Sequence, residues 1–485
     1  MSAAKTCALE AHGSAAEKQP SLPAGFSAAF AFQASRYQES AMTKHATPAA
    51  ADAAADASSP ARADLNRRDV LRAGAAAALS SAISSAFPSG VFAQGAGPET
   101  TKAVLGYIAL TDAAPLVIAK EKGFLDKYGM AGVEISKQAS WAATRDNLVL
   151  GGEKNGIDGA HILTPMPYLI STGKVTQNNT PTPMYILARL NLDSQAISVA
   201  QEYKDSGAGL NASGLKAAFE KKKAAGKEVK VAMTFPGGTH DCWIRYWLAA
   251  AGVDPDKDVS TIVVPPPQMV ANMKVGNMDA FCVGEPWNEQ LVNQGIGFTA
   301  CVTGELWNKH PEKALGMRAD WVDKNPRAAQ ALVAAVIEAQ IWCDKPENKE
   351  EMATILGRRQ WFNVPPADVL GRLKGDINYG NGRLAKATGQ EMKFFKDDAS
   401  YPFKSHDAWF LVENIRWGKF EAGLDVKGLV DKVNREDIWR AAAKTIGAPA
   451  PASSSRGKET FFDGKVFDPE NPAAYLASLA IKRIA

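Results

Sequence analysis

From Val104 onward the chain alternates short apolar runs with stretches of helical spacing. Residues 104–110 form an apolar run, and 115–127 follow with apolar positions at helical intervals and Gly123 near the end. Residues 133–135 predict a second strand, 143–150 a helix and 156–162 a third strand. The same pattern restarts at 228–233. It continues with a helix over 240–251, a strand over 260–264, a helix over 269–275 and a strand over 279–283. Alternation at this short spacing predicts an α/β fold with mostly parallel strands. The polar stretch 204–227 between the two runs, with Lys221, Lys222 and Lys223, predicts a solvated helix rather than a basic site. Beyond Trp321 the pattern turns helical, over 326–343, 407–417 and 436–446, and no 20–50-residue period repeats.

Two α/β runs predict two lobes with a ligand cleft between them, lobe I from 101–200 with 297–485 and lobe II from 201–296. The helical C-terminal region is expected to pack on one lobe. The N-terminus reads differently. Residues 1–64 include an Ala/Ser/Pro-rich tract without apolar periodicity, so a disordered extension is expected there. Residues 65–93 hold the pair Arg67-Arg68, a moderately apolar stretch to Phe87 and the small-residue site Val91-Phe92-Ala93, the order found in a twin-arginine export signal. That stretch is too short and too rich in Ala and Ser to span a bilayer, so no transmembrane segment is expected. Cleavage after Ala93 and a mature periplasmic protein follow.

Composition narrows the chemistry further. The chain has 485 residues, 46% of them hydrophobic, with 55 Lys+Arg against 52 Asp+Glu. Such near-balance without a basic block leaves no footprint for nucleic acid, and any bound anion must be held by local geometry. Cys7, Cys242, Cys282, Cys301 and Cys343 show no metal-type spacing, and whether any pair forms a disulfide stays open. Phosphate-loop, nucleophile-elbow and zinc-helix motifs are lacking, so neither metal nor cofactor is expected. Gly380-Asn381-Gly382 matches a loose dinucleotide pattern but lacks the preceding strand, and it reads as a turn. The segment 235–243 is more informative. A strand ends, Gly237 and Gly238 allow a tight turn, Thr239 is the expected N-cap and a helix starts at His240, so free backbone N–H groups face an anion. Asp112 is expected to cap the helix entered at Pro115, and Trp243 and Trp247, four apart, to pack a helix face.

Taken together, the segments 106–115, 139–147, 161–167, 279–288 and 318–322 resemble the nitrate- and bicarbonate-binding proteins of ABC-type uptake systems. The resemblance implies a two-lobed periplasmic binding protein fold, type II-like, that closes on a small planar oxyanion. It also implies a ligand set of Trp141, Gln195, His240, the main chain at Gly284, and Lys313, with Thr144, Thr164 and Glu285 as supporting groups. Trp141, Gln195 and Lys313 are expected from lobe I, and His240 and Gly284 from lobe II. These residue types offer hydrogens, which suits nitrate, an acceptor without a proton to give. In the bicarbonate branch the resemblance implies an acidic residue, helped by a cation such as calcium, at the place of Lys313. The expected function is therefore a monomeric receptor for nitrate and nitrite that feeds a permease and its ATPase, without catalysis. The competing expectations are bicarbonate or cyanate binding, a sensing role, and a cofactor-bearing redox enzyme.

Overall fold

The protein is described here by a computed structural model covering residues 97–484; the expected extension 1–64 and signal 65–93 lie outside the described residues. Ten strands carry the fold: β1 (Lys102–Tyr107), β2 (Gly132–Lys137), β3 (Gly159–Leu163), β4 (Met184–Arg189), β5 (Gln195–Ala200), β6 (Lys230–Met233), β7 (Ser260–Val263), β8 (Ala280–Gly284), β9 (Gly297–Val302) and β10 (Lys313–Arg318). They form two five-stranded sheets, in the orders β2-β1-β3-β10-β4 and β7-β6-β8-β5-β9. In the first, β1 runs parallel to β2 and β3, while β10 is antiparallel to β3 and β4. The second repeats this plan, with β6 parallel to β7 and β8, and β5 antiparallel to β8 and β9. The central strands β3 and β8 are buried at every position, which is why they read as unbroken apolar runs.

Each sheet takes its antiparallel inner strand across from the other. The chain leaves the first sheet after β4 and enters the second at β5; it leaves the second after β9 and returns at β10. The two crossings lie side by side: Leu190 N donates to Lys313 O at 2.8 Å, Asp193 N to His310 O at 3.0 Å, and Leu192 bridges Pro311. Sheet membership thus places β5 and β9 with the second lobe. This differs from the expected limits at 200/201 and 296/297, because β5 pairs with β8 and β9 pairs with β5. Gln195, the first residue of β5, moves with them to the second lobe.

Seven helices position the rest: α1 (Ala114–Glu121), α2 (Trp141–Leu150), α3 (Thr239–Ala250), α4 (Trp287–Asn293), α5 (Pro326–Asp344), α6 (Lys404–Arg416) and α7 (Glu436–Ile446). The run expected as one helix over 115–127 breaks at Gly123, whose φ of 71° is left-handed. The helical C-terminal region serves both cores. Buried Ala, Val, Leu and Ile of α5 and the Trp439 face of α7 join the core of the first sheet. Trp409 and Phe410 of α6 join that of the second, where Trp409 stacks on Trp243 with centroids 4.9 Å apart. Cys242, Cys282, Cys301 and Cys343 are buried free thiols. Gly380 and Gly382 sit in the turn between two short paired strands, and Lys221–Lys223 end an exposed-faced helix.

Candidate anion-binding site

The site gathers where the strand ends of both sheets meet. Trp141 opens α2, behind Ser140, whose hydroxyl caps the helix by accepting from Ala143 N at 3.1 Å. Lys313 is the first residue of β10, and Gln195, the first of β5, sits directly across from Gly284, the last of β8. His240 is carried in by the turn ahead of α3, where Gly237 takes a φ of 75°. A Cβ on Gly284 would lie 2.6 Å from Gln195 Oε1 and 3.2 Å from Asp112 Oδ2, so glycine is what lets the backbone approach this point. Trp141 and Lys313 come from the first lobe, and Gln195, His240 and Gly284 from the second.

At the centre lies Asp112, in the 3-10 turn Thr111–Ala113 that leads into α1; it does not cap that helix as expected, since Ala113 is the N-cap and no side chain caps it. Its Oδ2 accepts from Lys313 Nζ at 2.7 Å and from Gln195 Nε2 at 3.1 Å, and its Oδ1 lies 2.5 Å from His161 Nε2. The bond to Asp112 fixes the Gln195 amide, leaving its Oε1 to face His240 Nε2 at 2.8 Å. Only a donor can face that oxygen, so His240 carries its hydrogen on Nε2 while Nδ1 accepts from Thr234 Oγ1 at 2.6 Å. Glu312 is the second carboxylate. Its Oε1 takes Lys313 Nζ at 2.9 Å and the Thr239 hydroxyl, and its Oε2 takes the Trp243 indole at 2.9 Å.

The anion place anticipated at the start of α3 is therefore served in part by the protein's own Glu312. Gly238, not Thr239, is the N-cap, since the Thr239 hydroxyl is turned to that carboxylate. Expected donor-only walls are corrected too: Lys313 is wholly buried, and an ammonium taken out of water requires counter-charges. Burial alone would push Asp112 up, but Lys313 and His161 outweigh it and hold the carboxyl well below its usual range. Lys313 rises, because Asp112 and Glu312 overcome its burial. Burial, aided by Lys313, pushes His240 down to about 3 and keeps the ring neutral.

The three expected supporting groups are engaged elsewhere. Thr144 Oγ1 donates back to Ser140 O at 3.0 Å, and Thr164 Oγ1 donates to Glu312 O at 2.7 Å while accepting from Arg189 at 2.5 Å. Glu285 faces neither His240 nor Lys313: it accepts from Glu289 N at 3.1 Å and lies 3.1 Å from the Arg372 guanidinium. Burial raises its carboxyl to about 7. Asp112, His161, Thr234 and Glu312 escaped the sequence reading as site groups; the local signal was position alone, Asp112 and His161 standing in singled-out segments, Thr234 just before one and Glu312 beside Lys313. Among the described residues no group of His, Cys, Asp and Glu is arranged to hold a metal ion. A surface cleft of about 760 Å³ near Tyr203, Lys222 and Asp279 lies at the opposite, N-terminal ends of β6 and β8.

The NMT1-like family model matches residues 96–357. The nitrate/nitrite binding protein NrtA of Synechocystis sp. is 64% identical over 391 residues, covering 80% of this chain and 86% of the relative. The crystal structure of the periplasmic nitrate-binding protein NrtA from Synechocystis superposes with a TM-score of 0.78 at 63% identity, over 80% of this chain and all of that one. A bicarbonate-binding protein, CmpA of Synechococcus elongatus, is 44% identical over 78% of this chain and 86% of its own length. The nitrate import ATP-binding protein NrtC of Synechocystis sp. is 33% identical over 80% of this chain and 57% of its own length.

Proposed function

From the premise that this chain belongs to the NMT1-like family, beside the nitrate/nitrite binding proteins, we propose that it is a periplasmic nitrate and nitrite receptor of an ABC importer. The observation that carries this reading is Lys313, a fully buried ammonium at the meeting point of both lobes, with the unpartnered indole N–H of Trp141 nearby. Trp141, Gln195, His240, the main chain of Gly284 and Lys313 hold the anion. Three come from one sheet's lobe and two from the other's, so ligand favours the closed arrangement and the permease reads closure. Catalysis has no part in it.

The anion gains a charge-assisted bond from Lys313 and a neutral one from the free indole N–H of Trp141, while the Gln195 amide and His240 Nε2–H reach it by exchanging their bonds to Asp112 and to each other. Bicarbonate carries a hydroxyl that needs an acceptor. The two carboxylates at hand, Asp112 and Glu312, are already engaged by Lys313, His161, Gln195, Thr239 and Trp243, so neither stands free to take it. Parallel calorimetric titrations with nitrate, nitrite and bicarbonate, with and without calcium, test the reading. Nitrate and nitrite bind without calcium; saturable bicarbonate binding in place of nitrate overturns it.

Export follows the twin-arginine route with cleavage after Ala93, and the mature protein acts as a monomer that delivers its cargo to a permease and ATPase. The support is the Arg67-Arg68 pair with its following site, and, among the described residues, no helix long and apolar enough to cross a membrane. Sequencing the exported protein from its N-terminus checks the cleavage, with Gln94 expected first.

A further inference from the structure

Asp112 only accepts, so the hydrogen of the neutral His161 ring sits on Nε2, 2.5 Å from Asp112 Oδ1. Nδ1 of that ring is then a bare acceptor. It is buried, and it has no hydrogen-bond partner. The neighbouring Trp141 ring, with its centroid 5.3 Å away, leaves its Nε1–H unpartnered as well. Buried polar atoms are rarely left unpaired, and this pair lies on adjacent rings beside the Lys313 ammonium, 6.0 Å from the Trp141 ring centroid, where the proposed anion sits. Nitrate offers acceptors alone, so it satisfies the Trp141 donor but would meet the His161 lone pair with its own.

A second hydrogen on Nδ1 removes that conflict, because imidazolium donates to Asp112 through Nε2 and to the anion through Nδ1. Charge balance points the same way. Asp112 and Glu312 against Lys313, with neutral imidazoles, leave the buried cluster one charge negative before any anion arrives. The groups facing His161 are Asp112 from the turn after β1, Lys313 from β10 with Glu312 just before it, and Trp141 from α2. His240 of α3 joins the same cluster, but both of its nitrogens already have partners.

We infer that His161 is a further anion-contacting residue and that nitrate enters with one proton, taken from solvent and held on His161 Nδ1. This rests on the nitrate reading above. Burial keeps the ligand-free ring below the ordinary imidazole range, despite the opposing pull of Asp112. Binding raises it. Affinity therefore falls as pH rises above the ligand-free pKa, by about tenfold per unit, until the pH passes the ligand-bound pKa.

Calorimetric titration of the purified exported protein with nitrate, in phosphate and in Tris at one neutral pH, counts the protons, because the two buffers ionise with different heats. The expected result is uptake approaching one proton per nitrate, lost in His161→Asn together with the pH dependence of affinity. Nitrogen-15 spectra of the wild-type histidines give a reading that needs no variant: both His161 nitrogens become protonated on nitrate addition. Nitrate binding with equal heats in both buffers, uptake that persists in His161→Asn, or a His161 ring that stays neutral each overturns the inference. No nitrate binding at all overturns the nitrate reading, and this one with it.

Discussion

At the scale of single residues, one buried cation is surrounded by counter-charges, and the Trp141 indole N–H beside it is left unused. Lys313 is held by Asp112 and Glu312, and in the proposed reading it supplies the charge-assisted donor to the anion. Lys313→Glu places a third carboxylate among the two and removes the charge-assisted donor. Nitrate affinity is expected to fall about 100-fold or more, with a stability loss of about 3–5 kcal/mol for breaking a buried pair. Calorimetry and urea unfolding read the two effects separately. Gly284→Ala tests the backbone approach: its Cβ would sit 2.6 Å from Gln195 Oε1, so the amide must swing away from His240. A nitrate affinity at least about tenfold weaker is expected, corresponding to a lost interaction of about 1.4 kcal/mol, with little change in the far-UV spectrum.

Among the elements, the helix after β8 shows how local capping and long-range pairing share one residue. Glu285 accepts from Glu289 N in the first turn of α4 and faces Arg372 from the C-terminal region. Its carboxyl, raised by burial to about 7, is protonated more readily in the folded chain than in the unfolded one. The stability linked to it is present below the usual Glu range and is lost as pH rises through about 7. Denaturant unfolding of wild type and Glu285→Gln from acid to mildly alkaline pH reads this directly: the wild type loses ground against the variant as pH rises. The crossings between the sheets are the other decisive elements. Asp193 and Ser194 take φ values of 60° and 67°, Lys309 one of 59°, and Asp193 accepts from His310 N at 3.0 Å. Left-handed backbone at both crossings, tied by hydrogen bonds, fixes where the lobes join.

For the described part of the molecule as a whole, contacts between the lobes surround the site. Trp287 Nε1 donates to Ala109 O at 3.0 Å, Thr111 N to Glu285 O at 2.7 Å, and Gln195 Nε2 to Asp112. These bonds join the two lobes, so under the proposed reading an anion held by both lobes and these bonds stabilise one another. Trp287→Phe removes one such bond and is expected to weaken nitrate affinity severalfold, consistent with about 1 kcal/mol for a hydrogen bond, without changing which anions bind. Saturating nitrate, at a hundredfold excess over Kd, is expected to add about 2.7 kcal/mol to the unfolding free energy, read from denaturant midpoints.

What the sequence determined by itself was the alternation. Six parallel strands, the helices between them, and the turn entering α3 follow from apolar periodicity and from glycines at fixed places, because those signals are local. The pattern gave no sign of β4, β5, β9 and β10, which carry no βα alternation; two of them bring Gln195 and Lys313 to the site. Resemblance supplied those two names, while spacing alone left Lys313 indistinguishable from a solvated lysine. Tertiary structure decided the rest. Only the exchange of β5 and β10 between sheets puts Asp112, Gln195 and Lys313 within hydrogen-bond reach, although Asp112 and Lys313 stand 201 positions apart. The cost of burying an ammonium is met by carboxylates distant in sequence or unremarkable beside it, and no local pattern encodes such a pairing.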